Sequence, residues 1–170
     1  YFFNGLVEEN LPGEERDLIP SPRDVKTYDL KPEMSALKVR YAVIKAILSN
    51  KYDLIVVNFA NCDMVGHTGV LGAAIKAVET VDSCLGSILS ELEKVSGQAL
   101  IIADHGNAEQ MIDYNTGKPH TAHTTFPVPI ILFGNPNRLK DGGALCDVAP
   151  TLLKMMNIER PKEMTGSPLL

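Results

Sequence analysis

Three short apolar runs constrain this chain more than any other feature. Asp53-Leu-Ile-Val-Val-Asn-Phe59, Ala99-Leu-Ile-Ile-Ala103 and Val128-Pro-Ile-Ile-Leu-Phe133 are nearly continuous in Val, Ile, Leu and Phe. A strand with water on one face alternates apolar and polar residues, so continuous runs imply cover on both faces, as in a parallel sheet between helices. The segments between them supply the helices. From Pro32 to Asn50 the residues Met34, Leu37, Tyr41, Ile44 and Leu48 recur at helical spacing, with Pro32 in the tolerated first turn and Asn50 ending the helix. After a loop from Ala60 to Thr68, a longer stripe runs through Leu71, Ala74, Val78, Val81, Leu85, Ile88, Leu92 and Val95, and Gly97 is expected as the left-handed residue that closes it. Asp147 reads as the N-cap of a last helix through Met156, with Pro150 inside its first turn. Residues 1–31, broken by Asn4-Gly5, Pro12-Gly13 and Pro20-Ser21-Pro22, read as an irregular segment with one strand. The order predicts an α/β fold, a three-layer αβα sandwich on a mainly parallel sheet.

Composition narrows the function classes. The 170 residues suit one domain, 45% of them are hydrophobic and 22% charged, and no apolar run approaches the ~20 residues of a membrane span. A net charge of −5 with no Lys/Arg cluster argues against nucleic acid and anionic membranes as partners. The Lys and Arg residues between 16 and 45 read as ordinary solvated surface. Cys62, Cys84 and Cys146 are too few and too scattered for a disulfide framework or a Cys-based zinc site, which favours a reducing compartment such as the cytoplasm. The opening Tyr1-Phe2-Phe3-Asn4-Gly5 lacks an initiator Met and a signal segment, and reads as a cut through a longer protein.

In open α/β sheets the loops at the carboxyl ends of the strands build the site. Asp63 and His67 follow the first apolar run, Asp104 and His105 follow the second directly, and His120 and His123 lie in the loop before the third. All four histidines fall within this stretch. Mixed carboxylate and imidazole donors suit Mn²⁺, Zn²⁺ or a similar divalent ion. Each residue also has an ordinary reading: Asp63 as a helix cap, His67 as a loop histidine bonded to backbone, and one of His120 and His123 as a solvated residue. Asp104-His105-Gly106 is the sharpest signal, because a carboxylate and an imidazole immediately after an apolar strand are costly unless paired or metal-bound. Glu109 and Asp113 read as solvated or first-turn acids, and Cys62 as a packed residue.

Asn61-Cys-Asp-Met-Val-Gly-His67, Ala103-Asp-His-Gly-Asn-Ala-Glu109 and Thr121-Ala-His-Thr-Thr125, in this order and spacing, resemble the phosphatase-domain motifs of cofactor-independent (2,3-bisphosphoglycerate-independent) phosphoglycerate mutases, within the alkaline phosphatase superfamily. Phe2-Phe3-Asn4-Gly5, Pro12-Gly13-Glu14, Ser21-Pro22, Tyr28-Asp29, Lys31-Pro-Glu-Met-Ser-Ala36 and Asp147-Val-Ala-Pro-Thr-Leu-Leu153 are similar to the same family, so the likeness spans the chain. Leu6, where a second glycine is common, and the closing Gly166-Ser-Pro-Leu-Leu170 depart from it.

The resemblance implies an alkaline phosphatase-like fold and the C-terminal portion of a phosphatase-like domain. It also implies two divalent ions, manganese first, with magnesium, zinc or cobalt as the other candidates. One ion would be held by Asp63, His67 and His123, the other by Asp104 and His105 together with an aspartate and the nucleophilic serine, both expected upstream of Tyr1. The inserted domain that holds the glycerate, and a phosphate-facing lysine, are expected upstream as well. The implied activity interconverts 3-phosphoglycerate and 2-phosphoglycerate through a phosphoserine, in a monomer whose partner is this small substrate. Two other readings compete: a phosphomonoesterase or sulfatase of the same superfamily, and a non-catalytic metal-binding piece.

Overall fold

Two helices, α1 (Ala36–Leu48) and α3 (Leu71–Lys94), pack side by side around an apolar cluster in the computed structural model, which describes residues 4–170. Tyr1, Phe2 and Phe3, the first part of the Phe2-Phe3-Asn4-Gly5 motif, lie outside the described residues. Val43 and Ile47 of α1 meet Ile88 of α3, with Val39, Ile44, Ile55, Phe59 and Leu92 around them. The buried face of α1 is therefore Ala36, Val43 and Ile47, while Leu37, Tyr41 and Leu48 of the expected stripe are exposed. Both sets recur at spacings of four and seven residues, which fit the helical period, so periodicity alone could not choose between them; the face that meets α3 did. The helix also starts later than Pro32, because residues 32–35 form turns and Met34 adopts φ 45°. Asn50, at φ 50°, lies just past its end as expected.

On α3 the buried face is Ala73, Ala74, Ala77, Cys84 and Ile88, whereas Leu71, Val78 and Val95 face solvent. Its small N-terminal residues let the six-residue helix α2 (Asn61–Gly66) approach closely, and Val65 of α2 is wholly buried against Ala73, Ala77 and Met34. Removing a side chain of this size from water stabilises by ~2 kcal/mol. The segment expected as a loop from Ala60 to Thr68 thus contains a helix. The amide of Asn61 secures it by donating to the carbonyls of Pro32 (2.8 Å) and Glu33 (2.9 Å). At the far end of α3, Ser96 N–H donates to Glu93 O and Gly97 N–H to Leu92 O, the paired bonds of a Schellman closure. Ser96, at φ 54°, takes the left-handed position that had been expected at Gly97.

Strands β1 (Ala99–Ile102) and β2 (Ile130–Phe133) form the sheet of the described residues, and they run antiparallel, with Ala99 opposite Phe133 and Ile102 opposite Ile130. The expected parallel arrangement is not the one these two strands adopt; the structure is mixed α/β with a small antiparallel sheet. Residues 53–59 form no strand. Ile55 and Phe59 pack on the α1–α3 core, but Leu54, Val56 and Val57 are 45%, 53% and 41% exposed and no ladder partner lies beside them among the described residues. This segment and residues 15–21 border an open trough of ≈ 550 Å³. A β-branched run becomes a strand only where another strand completes its hydrogen bonds. Residues 4–31 likewise hold turns and a 3-10 turn at Tyr28–Leu30 in place of the expected strand.

Helix α4 (Val148–Met155) begins after Asp147, with Pro150 buried in its first turn. The Asp147 carboxylate does not cap α4; it accepts Ala144 N–H (2.8 Å) and Ser167 N–H (2.7 Å), joining the preceding 3-10 turn to the segment that follows α4. These two N–H groups hold its carboxyl below the usual range.

Candidate metal centre

The antiparallel pairing decides where the polar loops meet. Because Ile102 ends β1 opposite Ile130, which begins β2, the turn after β1 and the loop before β2 emerge at the same end of the pair. The first carries Asp104 and His105, the second His123. A main-chain bond from Thr124 N–H to Gly106 O (2.9 Å) ties them together. Helix α2 supplies the third wall, with Asp63 in its first turn and His67 just past its end, one helical turn apart.

At this meeting point Asp63 Oδ1 lies 3.1 Å from His67 Nε2 and 3.0 Å from His123 Nε2, and the two imidazole nitrogens are 3.1 Å apart. A triangle with edges this short can be capped by a single ion at ordinary oxygen and nitrogen ligand distances of ~2.0–2.2 Å, so the donor set fits a divalent metal in size and in chemistry. The tautomer of His67 follows from its other nitrogen. Nδ1 is 2.7 Å from the carbonyl of Thr121, which can only accept, so Nδ1 carries a proton, and in the neutral ring the Nε2 lone pair faces the centre.

The second expected pair is more loosely placed. His105 stacks on His123 at a centroid distance of 3.7 Å and an interplanar angle of 22°, and donor atoms of Asp63, His105 and His123 all lie within 4.8 Å of one another. Asp104 Oδ2 is 3.6 Å from His105 Nε2, and the Asp104 side chain is 74% exposed. All five residues expected as donors, Asp63, His67, Asp104, His105 and His123, therefore gather at one end of the sheet. His105 sits between the two groups that the sequence had separated. His120 does not join them: its backbone N–H donates to Met111 O (3.0 Å), and its ring Nδ1 is buried without a hydrogen-bond partner.

Two residues that sequence reasoning passed over hold the centre together. Glu109, read as a solvated acid, accepts Asn107 N–H (2.7 Å) on one oxygen and the Thr124 hydroxyl on the other, and so clips the His105 turn to the His123 loop. Burial pushes its carboxyl up, but these bonds outweigh that and hold it below the usual range. Gly106 makes the clip possible, since a Cβ there would stand 2.2 Å from Thr124 Oγ1 and 2.3 Å from Glu109 Oε1. Asn107, only 4% exposed, donates from Nδ2 to Asp63 Oδ1 at 2.8 Å. Its place in the Asp-His-Gly-Asn run was visible, but nothing in one sequence tells that an amide there reaches back to position 63. Asp113 proves to be a turn former, accepting Asn115 N–H (2.8 Å) and Thr116 N–H (3.2 Å), and Cys62 is half-buried, with burial pushing its thiol up.

A carboxylate and imidazoles converging at one end of an α/β scaffold define a metal-dependent class of protein, and the chain belongs to the Metalloenzyme superfamily, whose family model matches residues 1–160. More particularly, it is similar over its whole length to 2,3-bisphosphoglycerate-independent phosphoglycerate mutases. It is 58% identical to that of Pseudomonas fluorescens, covering 34% of that protein, and 58% identical to mutase 1 of Methanosarcina acetivorans, covering 33%. The chain thus spans about a third of the length of the curated relatives it matches. Among solved structures, that of Leishmania mexicana phosphoglycerate mutase at low cobalt concentration superposes with a TM-score of 0.78 at 33% identity, over 88% of this chain and 30% of that one.

Proposed function

We propose that this chain is the metal-binding portion of a phosphoglycerate mutase that interconverts 3-phosphoglycerate and 2-phosphoglycerate through a phosphoserine. The observation that carries the reading is identity of 55–59% to curated mutases over the whole of this chain, whose Asp63, His67 and His123 donor atoms lie 3.0–3.1 Å apart. Asp63, His67 and His123 would hold one divalent ion, and Asp104 and His105 would contribute to a second, the remaining donors and the nucleophilic serine coming from elsewhere in the longer protein. The approach of His105 to Asp63 and His123 is what two neighbouring sites for divalent ions would require. Bound there, such ions supply Lewis acidity that lowers the pKa of a serine hydroxyl and neutralises charge on the transferring phosphoryl group. Within this chain, Thr121 O orients His67, and Glu109 keeps the two histidine loops in register. Manganese is the ion proposed for the mixed oxygen and nitrogen set, and a cytoplasmic monomer acting on a small phosphorylated substrate is the setting.

The fold reading extends in the same way. Leu54, Val56 and Val57 stand exposed beside a trough, as a sheet interior does when its neighbouring strands belong to another part of the chain. We infer that the longer protein completes an alkaline phosphatase-like αβα sandwich with parallel strands there. The test of function is an assay of the full-length protein with 3-phosphoglycerate, Mn²⁺ and a chelator arm. Metal-dependent formation of 2-phosphoglycerate without release of inorganic phosphate is expected. Release of phosphate in place of isomerisation would assign the chain to a hydrolase of the same superfamily, and indifference to the chelator would remove the metal centre from the reaction.

A further inference from the structure

Asn107 is a deeply buried polar side chain beside the donor triangle, and its bonding is one-sided. Nδ2 donates to Asp63 Oδ1 at 2.8 Å and lies 3.5 Å from the Asp63 carbonyl, while Oδ1 is buried with no hydrogen-bond partner. Reversing the amide would not help, because it would set an oxygen against a carboxylate that can only accept. Beneath it lies Gly66, where a Cβ would come within 2.2 Å of Asn107 Oδ1 and 2.9 Å of its Cγ. Asp63 and Gly66 are three residues apart, on one side of α2. The amide therefore occupies a socket whose wall is the bare backbone of Gly66 and whose far end is the Asp63 carboxylate.

We propose that Asn107, seated on Gly66, is a positioning residue that fixes the Asp63 carboxylate at the vertex of the donor triangle. The oxygen it grips is the one that lies 3.0 and 3.1 Å from the two histidines. An acceptor-only carboxylate needs a donor to hold its orientation, and a neutral amide provides one without the positive charge that Lys or Arg would set against a cation. Asn107 is itself anchored, its backbone N–H being held by Glu109. The unmet Oδ1 is the cost of seating an amide there, and a residue chosen for packing alone would not carry it. Partners that orient a ligand from behind in this way typically change metal affinity 10- to 100-fold when removed.

This inference rests on the reading of Asp63, His67 and His123 as an ion-binding set, and its test separates the two. In the full-length protein, Mn²⁺ affinity is measured by titration, and the visible spectrum of the Co²⁺-loaded form is recorded. The variants are Asn107→Leu, which has the same number and branching of side-chain heavy atoms but no donor, Asn107→Ala, Asp63→Ala, and Val65→Ala as a purely apolar loss on the same helix. Asn107→Leu is expected to weaken Mn²⁺ binding 10- to 100-fold and to alter the Co²⁺ spectrum, with Val65→Ala within about twofold of wild type. Should Asn107→Leu not fold, Asn107→Ala is expected to give the same loss. If the Asn107 variants bind as wild type or no worse than Val65→Ala, while Asp63→Ala abolishes binding, Asn107 has no positioning role and the metal centre stands. If Asp63→Ala also binds as wild type, the metal centre itself is misassigned and the positioning role falls with it.

Discussion

The two halves of the candidate centre are built differently. Asp63, His67 and His123 form a closed triangle, each edge 3.0–3.1 Å, with Asp63 held by the Asn107 amide and His67 by the Thr121 carbonyl. Asp104 and His105 form an open pair, 3.6 Å apart, and the Asp104 carboxylate is largely in solvent. Partners inside the chain brace the triangle, whereas the open pair has donor capacity still to spend. The chain is about a third as long as its relatives, and the braced half is the one whose supports lie within it. Preorganised donors bind at lower entropic cost, so the triangle should be the tighter and more self-sufficient half.

The comparison breaks most readily at Asp63. Asp63→Ala in the full-length protein is expected to lower Mn²⁺ affinity by more than about 100-fold, beyond the effect of losing an orienting partner, as read by titration. Equal affinity in this variant would mean that the triangle is not the tight half. Chelation should next cost stability: at a hundredfold excess of Mn²⁺ over its dissociation constant the fold gains ~2.7 kcal/mol, read as a higher melting midpoint than with chelator at pH 8. Identical midpoints would separate the cluster from ion binding altogether.

Asp104→Ala should act on the open half alone. We expect it to reduce bound Mn²⁺ from two equivalents toward one with the tighter equivalent changed by less than about fivefold, as exposure of its carboxylate suggests a modest preorganised contribution. Loss of both equivalents would show the halves to be one cooperative unit. His120→Ala is the smallest expected change in the region, an Mn²⁺ affinity within about twofold of wild type, since the ring stands apart from the triangle and makes no bond to it. A larger loss would bring His120 into the centre.

A control far from the centre concerns acid. Asp147 has its carboxyl lowered from 3.8 by Ser167 N–H and then by Ala144 N–H. A depressed carboxyl contributes stability that is fully present above its unfolded value and is lost as pH falls through the folded one. The melting-point difference between wild type and Asp147→Ala should therefore be constant above about pH 5 and shrink below about pH 4. A difference that persists unchanged at lower pH would show that the Asp147 bonds do not depend on its charge.

Much of the centre was legible because its chemistry is local. Asp63 with His67, and Asp104 with His105, are close in sequence and follow apolar runs, so their gathering as candidate donors could be anticipated without coordinates. His123 could be set apart from His120 only through the motif around it; the structure now lays His123, and not His120, against Asp63. Asn107 and Glu109 were invisible in this role, since their partners at 63 and 124 are distant in the chain and an amide or acid in a polar loop carries no signal of what it will touch.

The amino-acid order by itself determined which residue types stand where: the apolar runs, the helical periods, the donors that follow them, and the Asn50 turn that ends α1. These follow from local sterics and from the separation of apolar and polar groups, which a short window contains. Tertiary structure decided the rest. It chose Val43 and Ile47 over Leu37 and Tyr41 as the buried face of α1, because either stripe satisfies the helical period and only contact with α3 distinguishes them. It paired β1 with β2 antiparallel, and it left residues 53–59 without a ladder, because a strand's direction and its very existence depend on a neighbour whose hydrogen bonds lie elsewhere in the chain.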